Sequence, residues 1–586
     1  MASPIVNNVP ISSIYEQHHK SNYYVNRDYQ RKLVWEHIEK SKFIESLLMG
    51  FPVPLVLLAK VSSMDNQLEI VDGLQRLEAI IAFLESRFSV KGKFFDLRRD
   101  ARTKQLLEQG KLTQRQPLLD EESCIRLLKY ELPVSVFEVD NLRKITRVFQ
   151  RINSYGKRLS RQELRFSSSS ARFSKLVSRI AMNTRGDASG TIVPIGDMCK
   201  YSISNKNLDY GIRAKSIPWC QTGVLSHSDI RESRDEEMIG HLLAYQLLGK
   251  KVPPSGTALD RIYGMSRRST NDDLYKLADD EIEKLGPEKV ENQFLHVFDE
   301  LRKTISSSSE QHFARLVFGG NSHRVKWHYQ ATFIAFFELI IQNRKQVADY
   351  IKLGDSLRRC AAATGICEDW TGDVRYAAKE AIRSRIQHYF IDRGSEDPAI
   401  HSNHTKLENL LSYSKSEQEY YEFKIGFHRL DLSSTFDEGS LDKIIRTISA
   451  MANHGPKATG RVLLGIADNE DDARKWSSKY SKKYIQVCEH FVTGVDQEAK
   501  SYGGIDKYRE FIKHRIDNSP ITPATMKKCI RIESWTYKGK EVLVLQVDSV
   551  SDATFYDNKL YVRQDSRLQE LKPEEYGIVF RRFFMG

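Results

Sequence analysis

The 586-residue sequence lacks most features of secreted, disulfide-bonded or membrane-spanning proteins. Its seven cysteines are scattered, with no C-x-x-C motif, so we expect neither a disulfide framework nor a structural zinc site. The longest strongly apolar stretch, near 331–341, contains a glutamate and is too short to span a bilayer. Because the first residues also lack the basic and apolar regions of a signal peptide, the sequence predicts a cytoplasmic protein.

Positive charge is concentrated in one part of this otherwise ordinary globular composition. The net charge is +12, and residues 143–165 contain eight Lys or Arg residues beside a single acid, Glu163. Such a run is often a solvated helix face, but its interleaved apolar residues and the neighbouring motifs favour contact with a polyanion. We therefore expect Lys157, Arg158 and Arg161 to bind nucleic-acid phosphates.

Hydrophobic periodicity divides the chain into regions that differ in their predicted secondary structure. Apolar stretches at 51–60, 67–71 and 132–139 predict strands, and an amphipathic pattern at 78–88 predicts a helix. Longer helical patterns follow in the middle of the chain. We predict a multidomain α+β protein with an α/β domain at 1–166, an α-helical domain at 167–391, a polar linker at 392–404 and an α+β domain at 405–586.

The last region contains its own helix and strands. Its helix is predicted to begin after Ser440 as the N-cap and to stop at Gly455-Pro456. Between these limits, apolar residues recur at helical spacing, at positions 441, 444, 445, 448 and 451. Buried strands are predicted at 461–466 and 541–547.

The stretch IVDGLQRLEAI, residues 70–80, ends a predicted strand in Asp72 and Gly73 and begins a helix with Gln75 and Arg76. A glycine there lets a ligand approach the backbone, and the first N–H groups of a helix can face an anion. An exposed Arg76 would pair with phosphate oxygens, and Asp72 would hold a metal ion or a ribose hydroxyl. The alternative is a tight turn with an Asp cap and a solvated arginine.

Ordered motifs between residues 29 and 163 resemble the family called domain of unknown function 262, the GmrS-type relatives of the ParB/sulfiredoxin fold. Leu74 departs from the family pattern, in which glutamine is usual at this position. The resemblance implies a ParB/sulfiredoxin-like domain with a nucleotide site, and nucleotide hydrolysis in relatives. The matching residues are Arg31, Trp35, Glu45, Ser46, Pro52, Pro54, Asp72, Gly73, Gln75, Arg76, Asn153, Gly156, Leu159 and Glu163.

The same resemblance implies roles for the residues of the nucleotide site. Arg31 and Arg76 would hold the phosphates of a nucleoside triphosphate, and Asp72 and Gln75 would organise a metal ion or water. Asn153 would approach from the basic segment. These residue types suit phosphoryl transfer, which needs positioned cations and a carboxylate more than covalent catalysis.

A second motif, SEQEYYEFKIG at 416–426, places Glu422 and Lys424 two residues apart on a predicted strand. Both side chains would then lie on one face, while Phe423 points into the core. A carboxylate that binds Mg²⁺ or Mn²⁺ and a lysine that stabilises the transition state suit a metal-dependent nuclease. Taken alone, such an E-x-K pattern is more often a surface pair.

The C-terminal motifs resemble the Schlafen-type AlbA domain family, with departures at NHGPKATG and at Asp565, where that family has glycines. In its nuclease members two glutamates and a later aspartate bind the metal, which implies Glu417, Glu422 and Asp468 here, with Lys424 as a further catalytic residue. Arg563 would contact nucleic acid. The matching residues are Glu417, Glu422, Phe423, Lys424, Ala450, Asn453, Gly465, Asp468, Tyr561 and Arg563.

Together the two resemblances imply a bacterial antiphage-defence-type protein. Nucleotide binding or hydrolysis would control cleavage of DNA or RNA with Mg²⁺ or Mn²⁺, an expectation that the three carboxylates favour. The alternative, favoured by the altered glycine positions, is a nucleotide-responsive nucleic-acid-binding regulator without nuclease activity. A homo-oligomer and partner subunits of a defence system are both compatible with the sequence, and the nucleotide and the choice between DNA and RNA stay open.

Overall fold

The structure is a computed structural model, and it describes most of the chain. The chain forms two compact units. Residues 1–178, 189–241 and 253–280 form the first unit, and residues 179–188, 242–252 and 281–586 form the second. The described residues are 5–27, 33, 35–61, 67–139, 145, 148, 160–169, 171–187, 192–201, 203–204, 211–265, 274–320, 322, 324–366, 369–393, 406–408, 410–411, 420–431, 435–455, 458–564 and 567–584.

Helices occur throughout the described residues, mixed with several sheets, which confirms the predicted multidomain α+β class. None of these described helices combines the length and the apolar character needed to cross a membrane. The α-helices are Ile11–His19, His37–Leu48, Leu74–Leu84, Ala101–Glu108, Glu121–Lys129, Arg161–Ser168, Arg172–Arg185, Pro218–Gln221, His227–Arg231, Arg234–Leu248, Gly256–Ile262, Leu274–Leu285, Pro287–Ser307, Phe313–Phe318, Val325–Phe337, Tyr350–Ser356, Gly372–Ile386, Glu438–Ala452, Glu470–Tyr480, Asp496–Lys500, Ile505–Asp517, Thr525–Lys528 and Tyr576–Phe584.

The first unit contains a mixed six-stranded sheet in the order β1-β5-β3-β4-β2-β6. The β3–β5 and β4–β2 pairs are parallel, and the other neighbours are antiparallel. Strand β6 lies within residues 167–391, which are predicted as an α-helical domain, yet it pairs with β2 at the edge of the N-terminal sheet. The strands of this unit are β1 Ile5–Pro10, β2 Tyr23–Asn26, β3 Val56–Val61, β4 Leu68–Asp72, β5 Glu131–Val139, β6 Ile192–Pro194, β7 Ile203–Ser204 and β8 Ile212–Arg213.

The core of the first unit lies between this sheet and the helices that follow its strands. Helix Leu74–Leu84 is at its centre, because all but one of its residues are buried. The predicted strand at 51–60 starts only at Val56, since Pro52 and Pro54 before it have no backbone N–H to donate to a neighbouring strand. The helix predicted at 78–88 begins earlier, at Leu74, directly after Gly73.

The second unit contains helices followed by smaller sheets. Its main sheet has the order β11-β12-β18-β17, with β11 parallel to β12 and the other neighbours antiparallel. The strands of this unit are β9 Lys345–Val347, β10 Phe390–Asp392, β11 Tyr421–Lys424, β12 Thr459–Leu464, β13 Ile466–Ala467, β14 Ile485–Val487, β15 His490–Val492, β16 Ile521–Thr522, β17 Ile530–Tyr537, β18 Lys540–Asp548, β19 Phe555–Tyr556, β20 Lys559–Gln564 and β21 Arg567–Glu570.

Two hydrophobic clusters cover opposite faces of the main C-terminal sheet. Helices Glu438–Ala452 and Ile505–Asp517 pack on the face formed by Val462 and Leu464. Phe423 and Leu463 belong to the other cluster. The apolar positions predicted for helix Glu438–Ala452 are all buried, but its N-cap is Asp437 and not Ser440: the Asp437 side chain accepts a hydrogen bond from the Ser440 N–H.

Candidate functional site

Gly73 forms the N-terminal cap of helix Leu74–Leu84 in a left-handed conformation, with φ of 98°. Its N–H donates to Asp72 Oδ1 at 2.8 Å. A Cβ at this position would lie 2.9 Å from Val56 Cγ2, so neighbouring side chains as well as the backbone angle require glycine. This strand-to-helix turn places four of the predicted nucleotide-site residues at the end of β4: Asp72, Gly73, Gln75 and Arg76.

Arg76 is buried beside Asp72, and the expectation of an exposed Arg76 is therefore wrong. Its Nη2 donates to Asp72 Oδ2 at 2.7 Å, and its side chain is only 10% exposed, against 42% for that of Asp72. Gln75 accepts a hydrogen bond from the Trp35 N–H at 3.1 Å through Oε1. The burial arises because this helix is enclosed on nearly all sides, so even its first turn has little contact with solvent.

A buried ion pair close to this turn is not predicted by any motif in the sequence. Lys40 Nζ lies 2.6 Å from Glu78 Oε2, and both side chains are almost completely shielded from solvent. The signal in the sequence is an acid directly before the apolar run AIIAFL. Nothing in the sequence identifies Lys40, in helix His37–Leu48, as its partner.

The basic segment is only partly described. Arg31, Asn153, Lys157 and Arg158 lie outside the described residues, so their predicted roles stay predictions. Arg161 is described and forms an ion pair with Asp260 while its side chain remains 60% exposed.

Arg165, at the end of the same basic run, is fully buried. Its Nε donates to Asp260 Oδ1 at 2.7 Å and its Nη1 to Glu237 Oε1 at 3.0 Å. Its Nη2 also donates to the Gly256 carbonyl at 3.0 Å. Arg165 therefore stabilises the fold and presents no surface to a polyanion.

Strand β11 has the alternation predicted from the E-x-K motif. Tyr421 and Phe423 are buried, whereas Glu422 and Lys424 are half-buried. Glu422 Oε2 accepts a hydrogen bond from Arg563 Nη2 at 2.7 Å, and the Arg563 side chain is only 2% exposed. An arginine predicted to contact nucleic acid is thus enclosed and paired with a predicted metal ligand.

Asp468 lies immediately after β13, with a side chain that is 59% exposed. Its Oδ1 is 3.5 Å from His490 Nδ1, and the His490 ring packs on Phe423 with 4.6 Å between the ring centroids. Among the described residues, no group of three or more His, Cys, Asp or Glu side chains is arranged to hold a metal ion. Because Glu417 lies outside the described residues, the three-carboxylate site stays a prediction.

Lys424 lies close to the start of helix Glu470–Tyr480. Its charge contributes to lowering the pKa of Asp472, after the larger effects of hydrogen bonds from Lys475 and Asn469. Carboxylates are therefore present at this end of β11, and carboxylate oxygens are ligands that Mg²⁺ and Mn²⁺ prefer. The residues described fit a divalent cation by type.

Asn453, a match to the Schlafen-type motif, has a structural role. Its Nδ2 donates to the carbonyl groups of Thr554 and Tyr561 at 2.7 and 2.8 Å, and its Oδ1 accepts from the Thr554 N–H at 2.7 Å. The side chain is completely buried. Asn453 therefore attaches strand β20, which carries Arg563, to the C-terminal end of helix Glu438–Ala452.

Glu498 fixes the turn that follows the E-x-K strand. The N–H groups of Phe427 and His428 donate to its carboxylate at 3.0 Å each, and the Tyr508 hydroxyl donates at 2.6 Å. A Cβ at Gly426 would collide with this carboxylate. No local motif identifies Glu498, because it lies far from the E-x-K motif along the chain.

Two family models match the chain, each over about a quarter of its length. Residues 11–169 match the GmrSD restriction endonuclease, N-terminal domain. Residues 417–572 match the Schlafen, AlbA_2 domain. Both resemblances are confirmed. Comparison with curated proteins and with solved structures gave no match.

Proposed function

We propose that this chain is a nuclease of the antiphage-defence type in which an N-terminal nucleotide site controls a C-terminal nucleic-acid-cleaving domain. The observation that carries the proposal is the presence, in one chain, of a match to a restriction endonuclease domain and a match to an AlbA domain. The finer assignments, a ParB/sulfiredoxin-like N-terminal fold and the domain limits 1–166, 167–391 and 405–586, belong to the same proposal.

The N-terminal site is proposed to bind a nucleoside triphosphate at the start of helix Leu74–Leu84. Its support is the arrangement of Asp72 and Arg76 around the Gly73 cap, since a helix N-terminus and a guanidinium both favour phosphate oxygens. A phosphate would compete with Asp72 for the Arg76 guanidinium. Arg31 and Asn153 complete this proposed site.

The C-terminal site is proposed to use Glu417, Glu422 and Asp468 to hold Mg²⁺ or Mn²⁺, with Lys424 beside the scissile phosphate. A divalent cation at such a site activates water and stabilises charge on the phosphate. Lys424 would add a positive charge at the same position, and its place at the end of β11 supports that role. The hydrogen bond between Arg563 and Glu422 holds the carboxylate before substrate binds.

That hydrogen bond also favours the second candidate function, a nucleotide-responsive regulator that binds nucleic acid without cleaving it. A carboxylate engaged by a buried arginine is a poorer metal ligand than one directed to solvent. In this case Glu422 would stabilise the fold, and the basic segment would supply the affinity for nucleic acid.

Incubation of the purified protein with plasmid DNA, phage DNA and tRNA distinguishes the two functions. Each substrate is tested with Mg²⁺, Mn²⁺ or EDTA, with and without each nucleoside triphosphate. Cleavage that requires the metal and is lost in Glu422→Gln and Lys424→Gln supports the nuclease. Nucleotide-dependent binding of a substrate that stays intact under every condition supports the regulator, and neither cleavage nor binding would contradict both.

A further inference from the structure

Arg563 has far fewer hydrogen-bond partners than a buried guanidinium normally has. Its side chain is 2% exposed, and its Nη2 donates to Glu422 Oε2 at 2.7 Å. Its Nε and Nη1 are buried without a hydrogen-bond partner in the part of the chain that the structure describes. Since a buried, charged donor without an acceptor is costly, these atoms indicate an acceptor that the described residues do not supply.

A second buried polar nitrogen lies near the same guanidinium. The His454 Nε2 also lacks a hydrogen-bond partner among the described residues. Burial, together with the positive charges of Arg582 and Arg563, lowers the pKa of His454 to about 3, so the ring is neutral at physiological pH. Arg582 itself donates to the Asn453 carbonyl at 3.0 Å. Positive charge from two arginines therefore surrounds a polar ring, and Glu422 is the carboxylate that contacts Arg563.

The geometry of a guanidinium limits what the missing acceptor can be. Nε and Nη1 are each adjacent to Nη2, so a ligand with two oxygens in one plane can bridge Nη2 and either neighbour. Phosphate oxygens have this arrangement. Such a ligand would need the Nη2 position that Glu422 now occupies, so ligand and carboxylate compete for one donor.

We propose that Arg563 is a phosphate-binding residue, held by Glu422 until a backbone phosphate of a nucleic acid displaces that carboxylate. This inference rests on the proposed nucleic-acid function. It adds a defined phosphate contact, at Arg563, and a carboxylate of the same chain, that of Glu422, which competes with the phosphate for this contact. The displaced Glu422 carboxylate would become available for its proposed role as a metal ligand. Phosphate binding and metal binding at the site would then strengthen each other by the same factor.

The competition predicts opposite effects of two substitutions on binding. Affinity is measured by fluorescence anisotropy with short labelled DNA and RNA oligonucleotides in EDTA, so that no metal contributes. Arg563→Gln should weaken binding about tenfold, the loss expected for one charge-assisted phosphate contact. Glu422→Gln should tighten binding about threefold or more, because it removes the competing negative charge but preserves shape. A purely structural ion pair would instead make both variants bind more weakly.

Controls separate this local effect from net charge and from folding. Arg531 and Asp548 form an ion pair at 2.5 Å between β17 and β18, in the sheet that contains Glu422. Arg531→Gln and Asp548→Asn therefore repeat both charge changes away from Arg563. Neither should change affinity more than twofold. Inorganic phosphate should compete with the oligonucleotide in the wild type and less in Arg563→Gln. If Arg563→Gln does not fold, the Glu422→Gln result still decides: tighter binding supports the phosphate site, and unchanged or weaker binding overturns it.

The binding measurements distinguish failure of the phosphate site from failure of the proposed function. Wild-type binding that neither Arg563→Gln nor Glu422→Gln alters would overturn the phosphate site while leaving the nucleic-acid function intact. Binding weakened by both substitutions would assign the pair a structural role and would also overturn the site. Absence of binding to either oligonucleotide and to phosphate would contradict the inference and the proposed function together.

Discussion

Arg165 Nε donates to Asp260 Oδ1 at 2.7 Å, which joins two residues 95 positions apart in the sequence. The arginine is fully buried and its Nη1 also donates to Glu237. Arg165→Met should therefore lower the free energy of unfolding of the first unit by about 1–3 kcal/mol, because both carboxylates lose a buried donor. Each carboxylate keeps one other partner, since Asp260 also pairs with Arg161 and Glu237 with Arg234. Urea denaturation followed by circular dichroism measures this change. A loss below about 1 kcal/mol would show that the carboxylates find other partners.

Lys157 and Arg158 are predicted to contact phosphates, so their neutralisation should reduce the salt dependence of nucleic-acid binding. The slope of log Kd against log salt should flatten by about one unit for each lost phosphate contact. Arg161→Gln, at the third predicted contact, should flatten the slope less than either of these changes, since Arg161 already forms an ion pair with Asp260. An unchanged slope in the Lys157→Gln, Arg158→Gln double variant would assign the run to a solvated helix face.

Arg76→Ala should abolish nucleoside triphosphate binding, measured by isothermal titration calorimetry. The same change should also cost about 1–3 kcal/mol of stability, because Arg76 is buried and leaves Asp72 without its partner. Arg76→Lys retains the charge but loses the paired N–H donors of the guanidinium, so it should bind the nucleotide weakly and be more stable than Arg76→Ala. If Arg76→Ala and Asp72→Ala both keep wild-type affinity for all four triphosphates, the site is assigned to the wrong residues.

Glu422→Gln should weaken Mn²⁺ binding and remove any nuclease activity, because the amide lacks the ligand charge. From the sequence, three clustered carboxylates would repel one another, and metal-free Glu422→Gln should be neutral or slightly stabilising. The Arg563 contact changes that expectation: the variant should lose about 1–3 kcal/mol, since a buried guanidinium keeps only a neutral partner. Electron paramagnetic resonance of Mn²⁺ and urea denaturation measure the two effects. Metal-independent cleavage that survives the substitution would exclude this site.

The second unit should become less stable in mild acid, because the folded chain keeps the buried His454 ring neutral. Its pKa is about 3 in the folded chain against an ordinary value of 6.5, so between these values the unfolded chain binds a proton that the folded chain does not. Stability should therefore fall as the pH drops below 6.5, by up to about 1.4 kcal/mol per pH unit. The urea midpoint of wild type and of His454→Phe, compared at about pH 5 and about pH 7, isolates this effect. Equal pH dependence in both proteins would contradict it.

Local patterns in the sequence predicted the elements well. The apolar spacing of helix Glu438–Ala452 gave its buried face correctly, because a helix repeats its contacts every turn. The predicted N-cap, Ser440, is wrong because Asp437 and Ser440 are both good caps, and only the backbone angles decide between them. The exposure of Arg76 was wrong because burial depends on which elements pack around the helix.

The predicted sites depend on contacts that are remote in the sequence. Glu422 and Arg563 were each identified by local motifs, but their hydrogen bond connects residues 141 positions apart. The pairing of Lys40 with Glu78 and the carboxylate of Glu498 under the 426–428 turn are of the same kind. Periodicity describes one element at a time, so the partners of polar side chains follow only from the packed fold.

Gly426 and Glu498 constrain the evolution of this domain. A residue with a Cβ at 426 would expel the carboxylate that holds the backbone of 427 and 428, and a shorter residue at 498 would leave two N–H groups and the Tyr508 hydroxyl without an acceptor. Neither position can change alone without harm. In proteins that diverge from this one, we therefore expect glycine at 426 and glutamate at 498 to be kept together or replaced together, even where the nearby E-x-K motif and its activity have been lost.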